Sequence, residues 1–199
     1  MFGLFGKKVS GFIGLYCIED WWFNELNESE RQEILSTFQP MGGSSNSLLA
    51  GQISTTQKCS DFLATLAGWF KTCNRDLAYK ILDKAESSLS SNSTILEKHF
   101  TYDKLIEFYY RDRDKGQEYL NKALDFCRKQ ISISKDAISE FKKIDSSCLP
   151  SHRGFKQLSI YEEKQKNYSE ALALAKQALY DGWNDDWEKR IVRLSKKLA

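Results

Sequence analysis

Gln165-Lys166-Asn167-Tyr168-Ser169-Glu170-Ala171-Leu172-Ala173-Leu174-Ala175-Lys176-Gln177-Ala178-Leu179 is the stretch that decides the fold of this chain. Its alanines at 171, 175 and 178 fall at steps of four and three, which bring them to one side of a helix. Side chains that small let a second helix approach closely, while neighbouring leucines fill the remaining space. Asn167 with Glu170 has the spacing of a helix start, where a side-chain acceptor and a carboxylate reach free amides. Upstream, Phe155, Leu158 and Tyr161 recur at helical spacing, so a second apolar helix face precedes the turn.

The pattern occurs twice more. Asp76 to Ala85 and Asp114 to Leu124 each place a small residue at the first position of the pattern (Ala78, Gly116). Leu82 and Leu120 follow four positions later, and Ala85 and Ala123 three after that. Each copy is preceded by an amphipathic stretch: Phe62, Leu66, Trp69 and Phe70 for the first, Tyr102, Leu105, Ile106 and Tyr109 for the second. Thr94 with Glu97 predicts the start of the latter helix. The copies are unevenly spaced, 38 residues from Ala78 to Gly116 and 55 from Gly116 to Ala171. The longer interval accommodates an added helix near Ser134–Ile144 and a loop at Pro150. After Asn184-Asp185-Asp186, the apolar residues Trp187, Ile191, Leu194 and Leu198 predict a last amphipathic helix, with Lys196 and Lys197 at its dipole-favoured end. No convincing alternating strand occurs; Val9 to Ile18, broken by Gly11 and Gly14, is the one ambiguous run. The expected class is all-α, built from stacked antiparallel helical hairpins with a C-terminal capping helix.

The 199 residues carry a net charge of +2 and are 41% hydrophobic, a globular composition rather than a disordered one. The two prolines, Pro40 and Pro150, mark breaks. Pro40 to Ser47 reads as a Gly/Ser linker; Ser87 to Ser93 and Asp145 to Ser151 read as loops. The expected division is an aromatic-rich segment and linker at 1–56, packing on the first repeat, followed by a helical-repeat domain at 57–199. No stretch reaches the ~18 apolar residues of a membrane span. At the N-terminus Phe2, Leu4 and Phe5 precede Lys7 and Lys8, the reverse of a secretory signal, and a mobile end or a packed terminal segment is favoured over membrane contact. Five scattered cysteines without a CxxC pair suit a reducing, cytoplasmic setting. Cys148 and His152 stand four apart, but His99 is the only other histidine, too few ligands for zinc.

Catalytic signatures are missing. Gly11-Phe12-Ile13-Gly14 lacks the length and lysine of a phosphate loop, and there is no Gly-x-Ser-x-Gly elbow. Arg111-Asp112-Arg113-Asp114 reads as a solvated turn rather than a paired-carboxylate site. Trp21, Trp22 and Phe23 are able to stack on bases, but basic residues are dispersed and balanced by acids, so a hydrophobic plug is favoured over a nucleic-acid contact. No cofactor is expected.

The three helix-turn-helix segments, spanning about 57–182, resemble the tetratricopeptide repeat. The third copy is the clearest, through Phe155, Leu158, Tyr161, Tyr168, Ala171, Ala175 and Ala178. The spacings depart from that family's period of about 34 residues. The resemblance implies a right-handed superhelix whose first helices line a concave groove. Carried onto this chain, its groove positions are Asp103, Glu107, Tyr110 and Arg111 in the second copy, and Arg153, Lys156, Glu163 and Lys164 in the third. The implied function is a non-catalytic scaffold holding a peptide or helix of a protein partner. Alternatives are a self-associating regulatory or assembly subunit, hence a homo-oligomer, and an enzyme with an unrecognised site.

Overall fold

The computed structural model describes residues 9–40, 43–145 and 147–198. Phe2, Leu4, Phe5 and the two N-terminal lysines lie outside them, as do Met41 and Gly42 of the linker. The class is all-α, and no strand occurs among the described residues. The chain divides into two compact units, Met1–Ser88 and Leu89–Ala199. The boundary expected at 56/57 falls inside the first of these, so the first hairpin belongs to the first unit and the other two share the second.

In the first unit, α1 (Gly11–Leu15) and a π-helical turn (Trp21–Glu25) precede α2 (Glu28–Thr37), and a 3-10 turn (Ser45–Leu48) follows. Then come α3 (Cys59–Ala67), a second 3-10 turn (Gly68–Phe70) and α4 (Arg75–Ser87). The ambiguous run from Val9 to Ile18 is therefore partly helical. Gly11 breaks its pattern for a steric reason: its φ is +68°, and a Cβ there would lie 2.5 Å from the Ser47 carbonyl oxygen. Asn27 starts α2 with a reciprocal capping box, accepting from the Glu30 amide while the Glu30 carboxylate accepts from the Asn27 amide, both at 2.9 Å. Trp21 and Trp22 are buried, whereas Phe23 is exposed. Aromatic rings tie the N-terminal elements to α3: Phe12 stacks on Phe62 at 4.4 Å, and Phe38 meets Phe62 edge-on at 6.3 Å. Phe38 also meets Trp69, which remains 38% exposed.

The second unit holds α5 (Ile95–Arg111), α6 (Gln117–Ser132), α7 (Ser134–Ile144), α8 (Arg153–Lys164), α9 (Tyr168–Asp181) and α10 (Trp187–Leu198). Helices pack in chain order, α5 on α6, α6 on α8, α8 on α9 and α9 on α10, with the extra helix α7 against α5. Ala123, Phe126, Phe155, Ala171, Ala175, Ala178 and Leu194 are buried between them. Each fully buried large side chain contributes about 1.5–3 kcal/mol. Ser159 secures the α8–α9 pair from inside, donating to the Ala171 carbonyl at 3.1 Å.

Local expectations meet three corrections here. Thr94 does cap α5, accepting from the Glu97 amide at 3.2 Å. Asn167, however, makes no side-chain cap on α9; its amide donates to Glu162 at 2.8 Å. The turn is instead made by the backbone, with Lys166 at φ 64°. Gly116 is the residue before α6, not a position within it. Counted from the helix start, the places held by Ala78, Leu82 and Ala85 in α4, and by Ala171, Ala175 and Ala178 in α9, are held in α6 by Leu120, Leu124 and Cys127. The second copy's helix therefore begins one turn later relative to Gly116 than the small-residue pattern predicts. Finally, Asp112 is not solvated; it is 5% exposed and paired with Lys115 at 3.3 Å.

Candidate functional site

The residues expected to line a groove are placed in the second unit on α5 and α8, and most are engaged with neighbouring helices. Arg153, the first residue of α8, donates through Nε to Asp103 of α5 at 3.1 Å, and its second amino group lies 3.6 Å from Glu107. Lys104 approaches the same Glu107 at 3.8 Å. Lys156 pairs with Asp185, just before α10, at 2.9 Å. Glu163, near the end of α8, holds α10: Arg193 lies at 2.7 Å, Lys197 at 2.9 Å and the buried Arg190 at 3.9 Å. The Arg193 hydrogen bond is the main reason the Glu163 carboxyl sits below its ordinary pKa. Tyr110 is half-buried, with the Arg113 guanidinium over its ring at 4.7 Å. Burial pushes its phenol pKa up. Arg111 and Lys164 are exposed.

Five of the eight candidate residues, Asp103, Glu107, Arg153, Lys156 and Glu163, therefore form a line of inter-helix ion pairs running from α5 through α8 to α10. Charges spaced along a helix face were legible in the sequence, but their partners were not. Glu163 is 15% exposed on its side chain, so its pairs are less screened than surface pairs. Glu163→Gln should lower the stability of the second unit by about 1 kcal/mol, with the loss shrinking in high salt. Urea unfolding at low and high ionic strength measures this. An identical loss in both salts would show that packing, not charge, is responsible.

Behind the ionic face lies a feature that sequence reasoning missed. His99 of α5, 2% exposed, and His152, 0% exposed, meet at 5.2 Å between ring centroids. Trp183, from the turn between α9 and α10, stacks on His99 at 5.4 Å with an interplanar angle of 8° and meets His152 edge-on at 4.6 Å. Phe141 of α7 closes on His99 at 5.3 Å and on Trp183 at 5.9 Å. His152 caps α8: its Nδ1 accepts from the Phe155 amide at 3.2 Å. That assigns the proton of the neutral ring to Nε2. His99 Nδ1, His152 Nε2 and Trp183 Nε1 are buried without a hydrogen-bond partner. Burial pulls the His99 pKa down to about 4, against the opposing pull of Asp103. Burial, reinforced by His99, pulls that of His152 down to about 3.

Gln130 of α6 joins this cluster to its surroundings. Its Nε2 donates to the His99 carbonyl at 3.1 Å and its Oε1 accepts from the Gly154 amide at 2.7 Å. Gly154 is required by close approach, because a Cβ there would lie 2.9 Å from both the Cys127 carbonyl oxygen and Gln130 Oε1.

Both imidazoles are neutral at pH 7 and sealed from solvent. Cys148 is exposed while His152 is buried, and Cys127 is buried with its thiol pKa pushed up to about 12 by desolvation. Among the described residues no group of three or more His, Cys, Asp or Glu side chains is arranged to hold a metal. No helix among them is long and apolar enough to cross a membrane. No protein-family model matches the chain, and neither a curated protein nor a solved structure matches it.

Proposed function

We propose that the second unit is a non-catalytic, tetratricopeptide-like interaction module that holds a peptide or helix of a cytoplasmic protein partner against α5 and α8. The observation carrying this reading is that α5 and α8 pack together and are linked by Arg153, while Tyr110, Arg111 and Lys164 on these helices keep solvent-accessible surface. Ion pairs that lock the helices give such a face a rigid frame, which reduces the ordering cost of binding. A half-buried tyrosine beside charges of both signs supplies an aromatic anchor and a basis for orientation.

The residues for the test follow from the geometry. Reversing Arg153 or Lys156 would break internal pairs and confuse binding with stability. Arg111→Glu combined with Lys164→Glu changes exposed positions, where substitution costs within about 0.5 kcal/mol. A displayed peptide library is selected on the whole protein, and the enriched peptides are measured by calorimetry. The double variant should bind at least tenfold more weakly with an unchanged melting temperature. Absence of any enriched peptide, or equal binding by the double variant, would remove this reading.

A further inference from the structure

We propose that His99 and His152 form an acid-operated latch at the start of α8: proton uptake releases the α8 cap and loosens α7 and the Trp183 turn around it, while the first unit keeps its own fold. His152 Nδ1 accepts from the Phe155 amide, so a proton arriving there turns the acceptor into a donor facing another donor. The cap is lost at the step that creates the charge. His99, whose ring meets His152 directly, has its Nδ1 unpartnered and open to the same proton. Two positive rings at 5.2 Å repel in a setting with little water.

The surroundings offer little to hold those charges. On α5 the carboxylate felt by His99 is Asp103, already engaged by Arg153 of α8. From α6 come the uncharged Gln130, whose backbone gives a charged His152 some support that burial and His99 outweigh, and the buried thiol of Cys127. α7 presents the Phe141 ring, and the α9–α10 turn presents Trp183. No carboxylate contributes to the shift at His152. Both imidazoles are held below their ordinary value of 6.5. The folded state therefore binds protons later than the unfolded chain, and stability complete above pH 6.5 is lost as pH falls toward the folded values. This window opens above the carboxylate range, so it precedes general acid unfolding. The chain's two histidines are these two, so the first unit has none. Only the consequence for binding rests on the function proposed above: Arg153 follows His152 directly, so opening would also disturb the Asp103 and Glu107 pairs.

Amide exchange resolved by residue, on the whole protein without any partner, tests the latch independently of binding. Between pH 7 and about pH 5, protection corrected for intrinsic rates should fall at least tenfold for the Phe155 amide and for α7. Amides of α2–α4 should change less than threefold. In His99→Phe/His152→Asn the phenyl ring packs on Trp183 without titrating, and the asparagine accepts from the same amide. That variant should keep its α8 protection at the lower pH. Constant protection in the unaltered protein overturns the proposal, as does an equal fall in both units, and these two readings need no variant. A persisting acid loss in the double variant overturns it as well.

Discussion

Trp183→Ala is expected to lower the stability of the second unit by about 3–5 kcal/mol, the range for truncating a large buried aromatic side chain. The indole is 2% exposed and lies between His99, His152 and Phe141, so its removal empties the contact among α5, α7 and the start of α8. Its Nε1 has no partner, so the loss is one of packing and not of a hydrogen bond. Trp183→Phe, which keeps an aromatic ring and removes the orphaned donor, should cost far less. Tyr180→Ala gives the control. At 91% exposure, that side chain should change stability by no more than about 0.5 kcal/mol. Denaturant unfolding followed by far-ultraviolet circular dichroism measures all three variants. A Trp183→Ala protein as stable as Tyr180→Ala would show that this cluster is not the core of the unit.

Gln130→Ala should cost about 1–3 kcal/mol, because the Gly154 amide, in the first turn of α8, loses its acceptor, while the His99 carbonyl inside α5 loses a second donor and keeps its helical one. Gln130→Met separates the causes, since it keeps most of the volume and removes both hydrogen bonds. If Met at 130 is tolerated like glutamine while Ala is not, the site acts through space filling. If both substitutions destabilise strongly, the hydrogen bonds are responsible.

Regular helical periodicity made much of the second unit legible. The small-residue steps of α9, the Thr94 start of α5, the inserted helix at Ser134–Ile144 and the terminal helix all follow from neighbours within one or two turns. Signals of that range also misled. Gly116 matched the small-residue pattern, but it precedes α6, and Leu120 occupies the place that Ala78 and Ala171 hold in their helices. Asn167 has the composition of a cap, yet its side chain finds Glu162 first. Asp112 reads as solvated among its charged neighbours, yet it is buried beside Lys115. In each case two local arrangements were open to the same residues, and packing chose between them.

The amino-acid order alone was enough to specify an all-helical chain, because apolar spacing and start signals act over a few residues. Tertiary structure alone decided which charges on α5 and α8 meet and which stay exposed. The Asp103–Arg153 pair joins positions 50 apart, and no local pattern encodes such a meeting. It also decided the state of the two histidines. An imidazole is a basic surface group or a sealed neutral cap according to what covers it, and here Trp183 and Phe141 arrive from elements remote in sequence to cover His99.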